Sequence, residues 1–337
     1  MPCSIARMKR FLIHEVQIYT ANLSGGREYE SEVVARVAFD IPDFRNTRKM
    51  ESEVATINWL KNNTTIPVPT ILFYDPWGIL WIPGRTLDRM WPDLSESHRE
   101  QVIESLAGYT AQLLQTRFPA IGSLYPGVDD KAAPNLGPMI PTCNPWCFRT
   151  DATLDSGPWA TEKAYLLGCI NRELRWIAEH PADLTAKWSS NSDSPGLVER
   201  YKDLFGRLSR RVATLECLNS GSGPFVLRHP DFNPTNIMIR EDDPSAVTAI
   251  LDWECANTAP VWAVAHVPEF ILDEGDDFEQ DPSERASKGR LRGIFLEPNL
   301  GLLALEGAAQ TITTMRKVED MDGRVSRVLT DLTAAGL

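Results

Sequence analysis

The spacing of apolar and polar positions changes partway along the chain, and the change divides it in two. Up to about residue 82 the apolar runs are short and strand-like: Val16-Gln17-Ile18-Tyr19 and Glu32 to Phe39, separated by Ser24-Gly25-Gly26, read as a hairpin. Thr47 then caps a predicted helix from Arg48 to about Lys61. Val54, Ile57, Trp59 and Leu60 give it apolar surface, and Ile66-Pro67-Val68-Pro69 stops it. Ile79-Leu80-Trp81-Ile82 reads as a last strand before Pro83-Gly84 turns the chain.

Beyond that turn the spacing becomes helical. Ser95-Glu96-Ser97-His98 opens a helix whose Val102, Leu106, Tyr109, Leu113 and Leu114 recur as a buried stripe. Ile121 to Pro158 is long, irregular and rich in Pro, Gly, Asn and Asp, which suits a lid, a substrate loop or a disordered segment. Helices resume from Thr161 to about His180 and from Leu197 to about Leu218. Pro224-Phe225-Val226-Leu227, Ile237-Met238-Ile239 and Ile250-Leu251 are short apolar strands, and a terminal helix or pair runs from about Gly289 to Leu332. The pattern predicts an α+β chain with a strand-rich lobe at residues 1–82 and a larger helical lobe at 83–337.

Composition narrows the classes. The chain of 337 residues is 43% hydrophobic, enough for a sizeable core without disulfides. A net charge of −12, with no Lys/Arg cluster interleaved with aromatics, argues against a nucleic-acid partner. The cysteines, at 3, 143, 147, 169, 217 and 255, lack the spacing of a metal site and read as scattered reduced thiols. Phe11-Leu12-Ile13 is too short an apolar run for a secretory signal, and no stretch is long enough for a membrane span. Together these features predict a cytoplasmic protein with no membrane partner. The acidic run Asp273–Glu279 reads as a solvated loop or, more sharply, a funnel for a cationic substrate.

The chemistry concentrates in His229-Pro230-Asp231-Phe232-Asn233-Pro234-Thr235-Asn236, answered downstream by Asp252-Trp253-Glu254. Four residues between Asp231 and Asn236 let a loop curl both toward one cavity, and the apolar hairpin that follows returns Asp252 to the same place. A phosphoryl transfer needs a carboxylate near the attacking hydroxyl, which Asp231 could supply, and hard oxygen ligands for a metal ion, which Asn236 and Asp252 could supply. His229 is a support by hydrogen bonding or, less simply, a proton-transfer group. Glu254 is either support for this site or exposed surface.

These residues resemble the His-x-Asp-x-x-x-x-Asn loop and following Asp segment of the aminoglycoside phosphotransferase and choline kinase family. Ser52-Glu53-Val54-Ala55-Thr56, Ile66-Pro67-Val68-Pro69, Ile121-Gly122-Ser123-Leu124 and Ser156-Gly157-Pro158 resemble its fungal-type branch. The resemblance implies a bilobal protein-kinase-like fold, ATP and Mg²⁺ as cofactors, and a small-molecule hydroxyl or amine as acceptor. It implies Asp231 and His229 at the catalytic centre and Asn236 and Asp252 as metal ligands. Val33-Val34-Ala35-Arg36 resembles the strand that sets a cation against nucleotide phosphates, with Glu53 (or Glu51) as its brace, and the backbone at Trp81 and Ile82 would meet adenine. Two departures stand out. Arg36 replaces the usual Lys, and residues 1–24 hold no glycine where relatives have a phosphate-covering loop. They keep two alternatives open: a kinase-fold enzyme that has lost ATP chemistry and performs a cyclisation or isomerisation, and a non-catalytic pseudokinase.

Overall fold

The computed structural model describes residues 3–10, 14–22 and 30–38 as backbone, then 47–73, 79–81, 84–127, 133–140, 155–181, 196–215, 225–264, 267–271 and 282–296. Five antiparallel strands form the first sheet: β1 (Cys3–Arg10), β2 (His14–Asn22), β3 (Glu30–Ala38), β4 (Thr70–Phe73) and β5 (Ile79–Trp81), in the order β1-β2-β3-β5-β4. The expected hairpin is β2 and β3, which pair without interruption from His14 opposite Ala38 to Asn22 opposite Glu30. β1 was not anticipated. Arg7, Lys9 and Arg10 mask its alternation, and its register against β2 shifts between Ile5 and Arg7.

Helix α1 (Thr47–Asn63) connects β3 to β4. It ends where the Thr64 hydroxyl and amide both bond the Leu60 carbonyl, at 2.8 and 2.9 Å, and Pro67 prevents continuation. Its middle is enclosed on all sides: every residue from Ser52 to Ile57 is buried. Ala55, Ile57 and Leu60 pack with Leu113, Leu124, Leu227, Ile250 and Trp253, so α1 shares a core with the elements that follow.

In chain order come β6 (Arg85–Thr86), α2 (Leu87–Met90), α3 (Glu96–Gln115), β7 (Ser123–Tyr125), β8 (Asn135–Gly137), α4 (Glu162–Glu179), α5 (Leu197–Thr214), β9 (Val226–Arg228), β10 (Ile237–Ile239), β11 (Val247–Ile250), β12 (Asn257–Ala259) and α6 (Pro282–Leu296). The Ser95 hydroxyl caps α3 by accepting the His98 N–H at 3.2 Å, as its sequence predicts. Gly84 is required where it stands. Its φ is +118° and a Cβ would lie 2.4 Å from the Ile239 carbonyl oxygen, so only glycine lets β6 lie against β10 in the sheet β11-β10-β6.

A second core holds Leu87 of α2, Val102, Ile103 and Leu106 of α3, Leu291 and Phe295 of α6, and Ile237 and Ile239 of β10. The hairpin β10–β11 therefore lies between two hydrophobic clusters. The stretch read as irregular contains β7, β8 and an anchored end: Ile121 and Trp159 exchange backbone hydrogen bonds at 2.8 and 2.9 Å, and Trp159 Nε1 donates to Asp155 at 3.0 Å. Residues 141–154, the acidic run 273–279, Ile82 and everything beyond Leu296 lie outside the described residues. No helix among the described residues is long and apolar enough to cross a membrane.

Candidate active site

β9 delivers the chain to His229, which is 5% exposed. Its Nε2–H donates to the Leu251 carbonyl at 2.8 Å, while Nδ1 accepts the Asp231 backbone N–H at 3.1 Å. The ring meets Trp253 edge-on at 4.6 Å and Phe232 at 5.8 Å. Burial lowers the imidazole pKa below its ordinary value, against the opposing pull of the Leu251 carbonyl and of the Asp252 and Asp231 carboxylates. Both nitrogens are committed to backbone, so His229 is a neutral strut between the loop and the end of β11.

Asp231 is exposed, yet its carboxylate is fixed at both oxygens. Oδ1 accepts from Asn233 Nδ2 at 2.6 Å and Oδ2 from Asn236 Nδ2 at 3.0 Å; the same Asn236 nitrogen reaches the Asp231 carbonyl at 2.9 Å. Asn233 in turn accepts from the Thr235 amide at 2.9 Å, and Pro234 starts the 3-10 turn Pro234–Asn236. The Asn236 carbonyl accepts the Leu251 N–H at 2.7 Å. Loop and hairpin are thus joined at two points, through His229 and through Asn236.

Asp252 follows directly, in the left-handed region at φ 64°, and Cys255 repeats it at φ 60°. Each such non-glycine residue costs about 1–3 kcal/mol and persists only where its surroundings over-determine it. Here Trp253 is fully buried and donates from Nε1 to the Ile250 carbonyl at 2.9 Å. Glu254 forms an ion pair with Lys49 of α1 at 2.8 Å, the two side chains 10% and 12% exposed. Ser123 donates to the Ala256 carbonyl at 3.0 Å, and Thr258 and Gly122 bond each other through amide, carbonyl and hydroxyl. The Ile121-Gly122-Ser123-Leu124 motif therefore braces the segment that leaves Asp252.

The structure gathers Asp231, His229, Asn236 and Asp252 in one place. It also settles Glu254, which is buried support. Glu53 is buried at 4% exposure on α1. Arg36 and Trp81 are described through their backbones: Arg36 lies opposite Val16 on β3, and Trp81 lies opposite Thr70 on β5. Two residues were missed. Asn233 carries only the signal of an Asx residue before Pro, which marks a turn and not a partner for Asp231. Lys49 carries none, because a lysine in a helix's first turns reads as solvated surface.

The donor set suits a hard cation. With its amide nitrogen given to Asp231, Asn236 presents Oδ1 as its remaining acceptor, and Asp252 offers a carboxylate close by in sequence and fold. Among the described residues no three His, Cys, Asp or Glu side chains converge as a ligand cage. One amide and one carboxylate match an ion such as Mg²⁺, which keeps several waters and completes its shell with substrate phosphates.

The chain is 24% identical over 329 residues to "Altered inheritance of mitochondria protein 9, mitochondrial" of Kluyveromyces lactis, covering 79% of this chain and 52% of the relative. It spans about half the length of the curated relatives it matches. That relative's location corrects the cytoplasmic expectation. Reduced thiols do not distinguish one reducing compartment from another, and mitochondrial targeting uses an amphipathic, Arg-rich segment instead of the apolar run sought above. Among solved structures, the gentamicin–APH(2")-IIa complex superposes with a TM-score of 0.51 at 13% identity, covering 98% of this chain and 91% of that one. The streptomycin–ATP–APH(2")-IIa ternary complex gives 0.50 at 12%, covering 98% and 92%. These likenesses show the fold, the α+β bilobal kinase-like architecture that the sequence predicts. Residues 26–263 match the model of the phosphotransferase enzyme family, and the chain belongs to that family.

Proposed function

We propose that this protein is an ATP- and Mg²⁺-dependent phosphotransferase that acts on a hydroxyl or amine of a small molecule. The observation that supports it best is the double tie of the loop to the hairpin, through buried His229 and through Asn236, which brings Asp231 and Asn236 beside the chain at Asp252. Asp231 orients the acceptor and takes its proton; Asn233 and Asn236 hold the carboxylate in one rotamer and leave it open to solvent, where an acceptor can enter. Asn236 Oδ1 and Asp252 are the residues that hold Mg²⁺, which when bound offsets charge on the phosphates. By its resemblance to the family we assign Arg36, with Glu53 as its brace, to the phosphates and the backbone at Trp81 to the adenine edge; Ile82 lies outside the described residues. His229 moves no proton and keeps the loop against the hairpin. We infer a mitochondrial location from the named relative.

With the acceptor unknown, the test is Mg-ATP hydrolysis in the absence of added acceptor, read as phosphate release, together with calorimetric titration of Mg-ATP. Asp231→Ala should lower turnover by about 10²–10⁴, the usual worth of a positioned base, with an unchanged circular dichroism spectrum. Asp252→Ala should abolish Mg²⁺-dependent nucleotide binding. Activity surviving Asp252→Ala but not Asp231→Ala excludes metal-assisted transfer. A wild type that binds no Mg-ATP at millimolar concentration points to a kinase-fold enzyme turned to another reaction.

A further inference from the structure

The Lys49–Glu254 pair is an odd investment for a fold. Burying two charges costs desolvation that their attraction roughly repays, so such a pair adds little net stability, while breaking it strands a charge in the interior. What it does fix is distance and direction between α1 and the turn after β11. That turn is the strained one: Asp252 and Cys255, at φ 64° and 60°, bracket Trp253 and Glu254. On one side Leu251 is held by Asn236 and His229. On the other, Trp253 is pinned to the Ile250 carbonyl and Glu254 to Lys49. Asp252 lies between these anchors and cannot relax out of the left-handed region unless one of them lets go. Three of the anchors belong to the loop and hairpin themselves. Lys49 comes from α1.

Lys49 and Glu53 are four residues apart on α1 and so share a face, one helical turn from each other. Any shift of α1 along its axis moves both together. We propose that Lys49 is a positioning residue: through Glu254 it holds Asp252 in its metal-binding conformation, so that α1 sets the direction of the metal ligand. The proposal rests on the phosphotransferase reading above. In it Lys49 acts through Glu254.

The test titrates Mn²⁺ into protein with ADP and reads free Mn²⁺ by electron paramagnetic resonance, at a temperature well below the melting point of every variant. Wild type, Lys49→Arg, Lys49→Met and the neutral double variant Lys49→Met/Glu254→Gln are compared. Support around a ligand is typically worth about 10- to 100-fold in metal affinity. Lys49→Met and the double variant should therefore bind Mn²⁺ with ADP at least about tenfold more weakly, and Lys49→Arg, which can still reach Glu254, within about threefold of wild type. If Lys49→Met fails to fold because Glu254 is left buried and alone, the double variant carries the measurement. Affinity lost in Lys49→Met but kept in the double variant would trace the effect to a stranded charge and overturn the positioning role. Wild-type affinity in both variants also overturns it and leaves the phosphotransferase reading intact. A wild type that binds no Mn²⁺ with ADP overturns both.

Discussion

The five-stranded sheet and the short hairpin of β10 and β11 hold their parts of the site by different means. β2 and β3 are nine residues each and pair along their whole length, so the place of Arg36 is set by a backbone ladder that is largely indifferent to side-chain identity. β10 has three residues and β11 four, too few to fix anything by ladder alone. Their geometry comes from particular side chains: His229 on Leu251, Asn236 on Asp231, Trp253 on Ile250 and Glu254 on Lys49. A long ladder tolerates change in its side chains, which is where this chain departs from its family with Arg36 and a glycine-free entry. A short hairpin tolerates little, which is why its residues carry the recognisable motif.

The sharpest way to break this comparison is Trp253→Ala. The side chain is fully buried in the cluster that joins α1 to β9 and β11, and it supplies the hydrogen bond to the Ile250 carbonyl. Truncating a buried tryptophan costs about 3–5 kcal/mol, and here the left-handed residues on either side lose an anchor as well. Urea unfolding should show a loss of this size with an unchanged m-value. A loss below about 1 kcal/mol would mean that the turn holds its shape without side-chain anchors.

What could be read from the sequence follows the same division. The loop geometry and the return of the chain at Asp252 were legible because a short hairpin fixes their spacing. The hairpin of β2 and β3, α1 and the Ser95 cap were legible because alternation, periodicity and capping are local. β1 was not, since Arg7, Lys9 and Arg10 interrupt the alternation and its pairing with β2 carries a shift. β12 was hidden for another reason: Asn257-Thr258-Ala259 has no strand pattern and is a strand only because β9 lies beside it. Lys49 and Glu254 are about 200 residues apart, and nothing local marks either charge as buried. The burial of Ser52, Glu53 and Thr56 is of the same kind, since polar residues on a helix predict solvent and here the helix is enclosed.

A smaller effect sharpens the hairpin's side of the comparison through pH. His229 has its pKa lowered from 6.5, chiefly by burial, so above that value folded and unfolded chains both carry it neutral and its contribution is complete. As pH falls below 6.5 the unfolded chain takes up a proton that the folded chain refuses, and stability declines until the folded value is passed. The slope from one such group is at most about 1.4 kcal/mol per pH unit. Thermal midpoints between pH 5 and 8 should therefore fall more steeply on the acid side in wild type than in His229→Gln. Parallel curves would show that His229 takes its proton in the folded state and is not a neutral strut.

The smallest effects test the sheet's side. Phe11, Leu12 and Ile13 lie outside the described residues, but the sequence holds no glycine there, and a phosphate-covering loop needs glycines for backbone N–H groups to approach a nucleotide closely. On the proposed phosphotransferase reading, nucleotide binding leans on Arg36 and the metal ligands. A charge-assisted hydrogen bond is worth roughly 1.5–3 kcal/mol, so Arg36→Ala should weaken Mg-ATP binding by about tenfold or more in calorimetric titration. Leu12→Gly should cost nothing and can tighten binding by clearing the approach. If Leu12→Gly weakens binding as much as Arg36→Ala does, the connection grips the nucleotide through its side chains, and the first sheet, like the hairpin, depends on identity as well as on its ladder.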